Sequence, residues 1–71
     1  MSSVISAKID GSRVTLHDVN GMMRDQVSPP GPGRPQSAYV NGDVLIVNLD
    51  DGLTVTYQKT RNDSFVMESL R

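Results

Sequence analysis

With 71 residues and no cysteine, the chain is sized for one small domain that can hold no disulfide, no thiolate metal site and no cysteine nucleophile. Seven lysines and arginines stand against eight aspartates and glutamates, interspersed without a basic block, so the positive footprint of a tight nonspecific nucleic-acid binder is missing. One histidine rules out a multi-histidine metal site within one chain.

A chain this short buries only roughly 60% of the surface its unfolded form exposes. Small cores are usually supplemented by disulfides, a metal or partner chains. With the first two removed, partner chains remain, and we expect a homo-oligomer, with a trimer as the first arrangement to test. The longest apolar run, Val44-Leu45-Ile46-Val47, is far too short to span a bilayer as a helix. The start, Met1-Ser2-Ser3-Val4, has neither the basic opening nor the apolar stretch of a signal peptide. Both features, with the lack of cysteine, suit a cytoplasmic protein.

Turn signals punctuate the chain in order: Asp10-Gly11, Asn20-Gly21, Pro30-Gly31, Asn41-Gly42, Asp51-Gly52 and Asn62-Asp63. The Asx-Gly pairs are expected to sit in type I′ hairpin turns, which need positive φ. Their spacing leaves room for short strands and none for a normal helix. The expected strands are 3–9, 13–19, 22–28, 37–41, 43–50, 53–60 and 64–70. Ile5, Ala7 and Ile9 alternate with Val4, Ser6 and Lys8, Val14 and Leu16 with Arg13, Thr15 and His17, and Leu53, Val55 and Tyr57 with Thr54, Thr56 and Gln58. Phe65 and Met67 continue the alternation near the end. Val44 to Val47 is apolar on both faces, so that strand should have both sides covered or face a partner chain.

The chain also reads as a repeat. Ala7-Lys8-Ile9-Asp10-Gly11 falls on Ala38-Tyr39-Val40-Asn41-Gly42, and Val14, Leu16, Gly21 and Met22 fall on Leu45, Val47, Gly52 and Leu53. The expected organisation is one all-β domain over 1–71. Unit one covers 3–28, a Pro/Gly-rich loop 29–36, unit two 37–60, and a closing strand 64–70 that can remove a sticky edge. Such a meander is either propeller-blade-like or a small barrel, completed by oligomerisation. The stretch Val14 to Gly21, repeated as Leu45 to Gly52, resembles blade hairpins of β-propellers. Ile5-Ser6-Ala7-Lys8 followed by Asp18 and Gly21 is similar to the opening of small bacterial and phage proteins. The resemblance covers about half of each unit, and Leu49 stands where the first unit has Asp18. It implies a propeller-like fold and carries no activity.

Several residues are candidate sites. The segment Ser28 to Ser37 holds all four prolines. Pro29-x-x-Pro32 and Pro32-x-x-Pro35 beside Arg34 could present a polyproline II ligand, or the loop could cover a ligand site. A stiff connection between meanders is the simpler reading. Asp18, Asp50 and Asp51 lack the spacing of a calcium loop and are better explained by turns. His17 beside Asp18 or Ser12 has no nucleophile elbow and stands on the polar phase of its strand. Of Met22 and Met23, one should be exposed as an adaptable contact. Tyr39 and Tyr57, with Arg34, Lys59 and Arg61, are the candidate binding residues, since stacking on single-stranded nucleic acid needs aromatics beside cations. No catalytic, cofactor or metal residue is expected. The reading that follows is a non-enzymatic, self-assembling binding or regulatory module, of phage or prophage type, with its ligand or partner at interchain surfaces. The alternative is a small OB or SH3-like barrel that binds nucleic acid.

Overall fold

The structure is a computed structural model that describes residues 4–62 and 64–71. Residue 3, at the start of the first expected strand, and Asp63 of the Asn62-Asp63 turn lie outside the described residues. Seven antiparallel strands run through the rest: β1 (Val4–Asp10), β2 (Arg13–Asp18), β3 (Met23–Val27), β4 (Pro35–Asn41), β5 (Val44–Leu49), β6 (Thr54–Lys59) and β7 (Phe65–Leu70). The expected all-β class is therefore observed. The strands form two sheets, one in the order β1-β2-β3 and the other β4-β5-β6-β7. Edge strand β1 lies alongside β4, and β3 meets β7, without a ladder joining the sheets into a closed barrel.

The alternation in the sequence explains this layering. Every second residue of a strand points to the same side, so Val14, Leu16, Leu45, Val47, Val55 and Tyr57 all turn inward. With Val4, Val27, Leu49 and Phe65 they form one apolar core shared by both sheets, flanked by Ala7, Ala38 and Val40.

The repeat is present in the pairing itself. In the first hairpin Val4 pairs with Asp18 and Asp10 with Arg13, with a bulge between Val4 and Ser6. In the second, Pro35 pairs with Leu49 and Asn41 with Val44, with a bulge between Pro35 and Ser37, the same ladder 31 residues on. The following turns also match: Asp18 N–H donates to Met22 C=O and Gly21 N–H to Asp18 C=O, as Leu49 does to Leu53 and Gly52 to Leu49. The units part after the turn. A bulge between Leu16 and His17 shifts β3 by one residue, pairing Val14 with Val27. The ladder between β5 and β6 runs without a break, pairing Leu45 with Tyr57. Hence Val27 faces the core in the first unit while its counterpart Gln58 is exposed.

Three expectations need correction. Asp10 and Asn41 are the last paired residues of their strands, so the two-residue loops are Gly11-Ser12 and Gly42-Asp43, with glycine first. Gly42 has φ +64°, the sign that two-residue hairpin loops demand of that position. At the β2–β3 and β5–β6 hairpins the loop has three residues and closes on a left-handed glycine, Gly21 at φ +82° and Gly52 at φ +89°. Pro35, placed above in the loop, begins β4 and is buried. Proline fits there because it opens an edge strand, where no ladder donor is required of it.

Leu45 is fully buried between the two halves of the core. An unpaired charge there costs several kcal/mol, against a net stability of roughly 4–10 kcal/mol for a domain this size. Leu45→Asp is expected to abolish the β-sheet signal in far-ultraviolet circular dichroism at 25 °C. A folded spectrum for that variant would mean the core is not the one described.

Candidate functional site

Asp18 is the single buried charged residue in the core layer, 5% exposed among the described residues. It ends β2 with its side chain on the inner face, where alternation places it beyond Leu16. Its Oδ1 accepts the N–H groups of Asn20 and Met22 at 2.9 and 3.0 Å, and its Oδ2 lies 3.0 Å from Arg24 Nε. The carboxylate thus adds side-chain bonds to the backbone bonds that close the turn. The Met22 N–H chiefly, with the Asn20 N–H and the Arg24 charge, holds its carboxyl below the ordinary value of 3.8 although burial opposes this. The equivalent Leu49 simply packs in the core.

The two aspartates of the second unit do different work. Arg34 N–H donates to Asp50 Oδ1 at 3.0 Å, and Asp50 N–H returns a bond to Arg34 C=O at 2.9 Å. Asp51 Oδ1 accepts Leu53 N–H, and its carboxylate sits so close to Gly33 that a Cβ there would clash at 2.6 Å. The Pro/Gly-rich segment is thereby fastened to the β5–β6 turn. With Pro35 buried and Arg34 tied at its backbone, the Pro32-x-x-Pro35 stretch is not free to act as a ligand.

His17 is half-buried on the outer side of the first sheet. In the tautomer protonated on Nδ1, it donates to Gly21 C=O at 3.3 Å and accepts the Thr15 hydroxyl on Nε2 at 2.9 Å. Asp18 turns to the opposite face and Ser12 lies at the far end of β2, so no catalytic array forms around the ring.

The expected binding residues are dispersed. Tyr57, at 4% exposure, belongs to the core and cannot stack on a ligand. Its hydroxyl has no partner among the described residues, and burial pushes its pKa up. Tyr39 stands on the outer face of the four-stranded sheet. Lys59 lies at the end of β6 with its Nζ 3.8 Å from Asp43 Oδ1, and Arg61 follows in the next turn. Arg34 precedes β4 and so lies at the opposite end of that sheet. Strand direction therefore separates the cations that sequence reading had grouped, and alternation turns the two tyrosines to opposite faces.

The described surface opens into no pocket, and no group of three or more His, Asp or Glu among those residues is placed to hold a metal. No described helix is long and apolar enough to cross a membrane. What the surface does carry is exposed apolar side chains. Val66, Met67 and Leu70 line the edge strand β7, Val19, Met22 and Met23 cap the β2–β3 turn, and Ile5 and Ile9 lie on β1. Both Met22 and Met23 are exposed, against the expectation that one would be; the three-residue turn and the bulge beyond it carry both outward. Asp25, which sequence reading passed over, reaches across the seam between sheets and accepts Phe65 N–H at 2.9 Å. Its shared phase with Val27 was the available signal.

No family model, curated protein or solved structure matches the chain. The class that fold and surface define is thus a two-sheet antiparallel β protein with a divided repeat, without a formed cavity among the described residues.

Two outcomes follow from these buried polar groups. Asp18 has a lowered folded pKa, so the stability it contributes is fully present above its unfolded value of about 3.8 and is lost as pH falls through the folded value. Asp18→Asn is expected to melt below the wild type at pH 7, with the gap narrowing below about pH 4; a gap independent of pH would exclude the charged turn. Removing an unpaired buried hydroxyl is worth about 1 kcal/mol. Tyr57→Phe is therefore expected to raise the midpoint of urea unfolding, and a lower midpoint would reveal a partner for the hydroxyl.

Proposed function

We propose that this chain is a non-enzymatic binding or regulatory module that works as a homo-oligomer, with partners or ligands held at its interchain surfaces. The observation that carries this reading is the outer strand β7. Edge strands of soluble proteins are usually protected by lysine, proline, a bulge, inward charges or a covering element. Within Phe65–Leu70 there is no lysine or proline, and Met67 and Leu70 are 53% and 40% exposed. Glu68, at the register shift opposite Thr56 and Tyr57, is the strand's one charge. Beyond Phe65, whose N–H is taken by Asp25, the strand's outward backbone groups are a template for another chain, and its apolar side chains favour covering it.

The small size of the domain points the same way, since a partner chain buries surface that one copy leaves wet. A ring of three chains, six units in all, agrees with the propeller-like reading of the repeat and with the closing role expected of residues 64–70.

Light scattering coupled to size-exclusion chromatography tests the proposal directly. A mass of two or more chains at tens of micromolar is expected, and a persistent monomer rejects it. Met67→Lys should lower the mass while leaving the circular dichroism of the fold intact, because this side chain is outside the core. Truncation of the strand is a poorer test, since Phe65 belongs to the core.

A further inference from the structure

The repeat supplies an internal comparison between two outer sheet faces built on the same backbone ladder. On the first sheet the outward positions of β1 and β2 are Ser6, Lys8, Asp10, Arg13, Thr15 and His17. The equivalent positions of β4 and β5 are Ser37, Tyr39, Asn41, Val44, Ile46 and Asn48. Four positions that carry Lys, Asp, Arg and His on one face carry Tyr, Asn, Val and Asn on the other. The neutral character continues across the sheet. Tyr39 pairs with Ile46, Ile46 with Thr56 and Thr56 with Ser69, while Asn41, Val44, Gln58 and Val66 form the next row. Arg71, which exchanges both backbone bonds with Thr54, is the one charge on these rows and lies at the corner.

We infer that this outer face of the four-stranded sheet packs against the same face of a second copy of the chain, related by a two-fold axis. The inference rests on the self-assembly reading and adds a contact separate from β7, one that makes the assembly even-numbered in place of a three-chain ring. Val44 and Ile46 lie on β5, an interior strand, so the apolar positions are mid-face with Tyr39, 50% exposed, beside them. Ser37, Asn41, Gln58 and Ser69 surround them. An apolar centre within a polar rim, with charges displaced outward, is the anatomy of a protein–protein contact. The polar row at one end is already satisfied: Asn48 Nδ2 donates to Ser37 Oγ at 3.0 Å and Thr54 Oγ1 donates to Asn48 Oδ1 at 2.9 Å. Covering it therefore strands few hydrogen-bonding groups.

Charge selects the partner. A face whose paired rows carry Arg71 alone, at the corner, offers little to nucleic acid or to an ionic surface. A second copy carries the same neutral rows, and two sheets packed face to face stack about 10 Å apart. Four strands about 4.8 Å apart and six residues long present on the order of 300–400 Å² in plan. This lies below the roughly 800 Å² per partner of a standard interface, so the pair is a reversible, concentration-dependent one. It also gives the both-faced apolar run Val44 to Val47 a cover on its second side.

The test is sedimentation velocity of the full chain over a concentration series reaching hundreds of micromolar, on the wild type, Ile46→Lys, Thr56→Lys and Thr15→Lys. Thr15 occupies the Ile46 position on the first sheet and serves as control. The wild type is expected to form a species with an even number of chains. Ile46→Lys and Thr56→Lys should each raise its dissociation constant by about tenfold or more, since each buries an unpaired charge at the contact, and Thr15→Lys should not. Two substitutions are used so that loss of folding in one, seen by circular dichroism, leaves the other to decide. A three-chain mass, or an oligomer indifferent to both substitutions, overturns this contact and leaves assembly through β7 standing. A wild type that stays monomeric throughout overturns both.

Discussion

One layer of apolar side chains holds this molecule together, and it is divided between two sheets. Val14, Leu16 and Val27 come from the first unit and Leu45, Val47, Val55 and Tyr57 from the second. Neither set has an apolar surface to rest on except the other. Period-two alternation thus does more than mark strands. It obliges two hairpin meanders to meet face to face, and that meeting brings β1 beside β4 and β3 to β7. The polar groups near the layer are accommodated on its terms. Asp18 is tolerated because two backbone donors and Arg24 neutralise it. The Tyr57 hydroxyl, lacking such partners among the described residues, is an unrelieved cost.

The two units show how one ladder supports different duties. Up to the second turn their pairing agrees residue for residue, bulge included. Beyond it, a single additional residue in β3 exchanges the wet and dry sides of the strand, putting Asp25 and Val27 inward. The same offset positions Asp25 to reach Phe65, so the first unit's irregularity provides a tie to the second. In the second unit the regular register leaves Tyr57 inward, and the turn aspartates are used to secure the preceding connector.

Much of the fold was legible in residue order because its determinants are local. The expected strands 43–50 and 53–60 differ from β5 and β6 by a residue or so at each end, as alternation and turn glycines bound them tightly. The repeat was visible for the same reason, since Gly11 and Gly42 recur at the same point of the same hairpin. What escaped depends on register. The same Asx-Gly dipeptide serves a two-residue loop in one place and a three-residue loop in another, and only cross-strand pairing tells them apart. The bulge in β3 left no local mark either. The binding cluster of Arg34, Tyr39, Tyr57, Lys59 and Arg61 was the least legible, because proximity in sequence says nothing about which end or side of a sheet a residue reaches. Tyr57 was drawn into the core by its pairing with Leu45.

The connector between the units has a further consequence. From Pro30 to Pro32 it is exposed, and only from Gly33 onward is it clasped to the second unit. A cut at Gly31 would therefore sever no contact between the halves of the core. The two pieces would each keep a complete set of strands and an apolar face shaped to the other. On this view the connector is a tether: it raises the effective concentration of one half at the other, while the fit between them is written in the hairpins themselves.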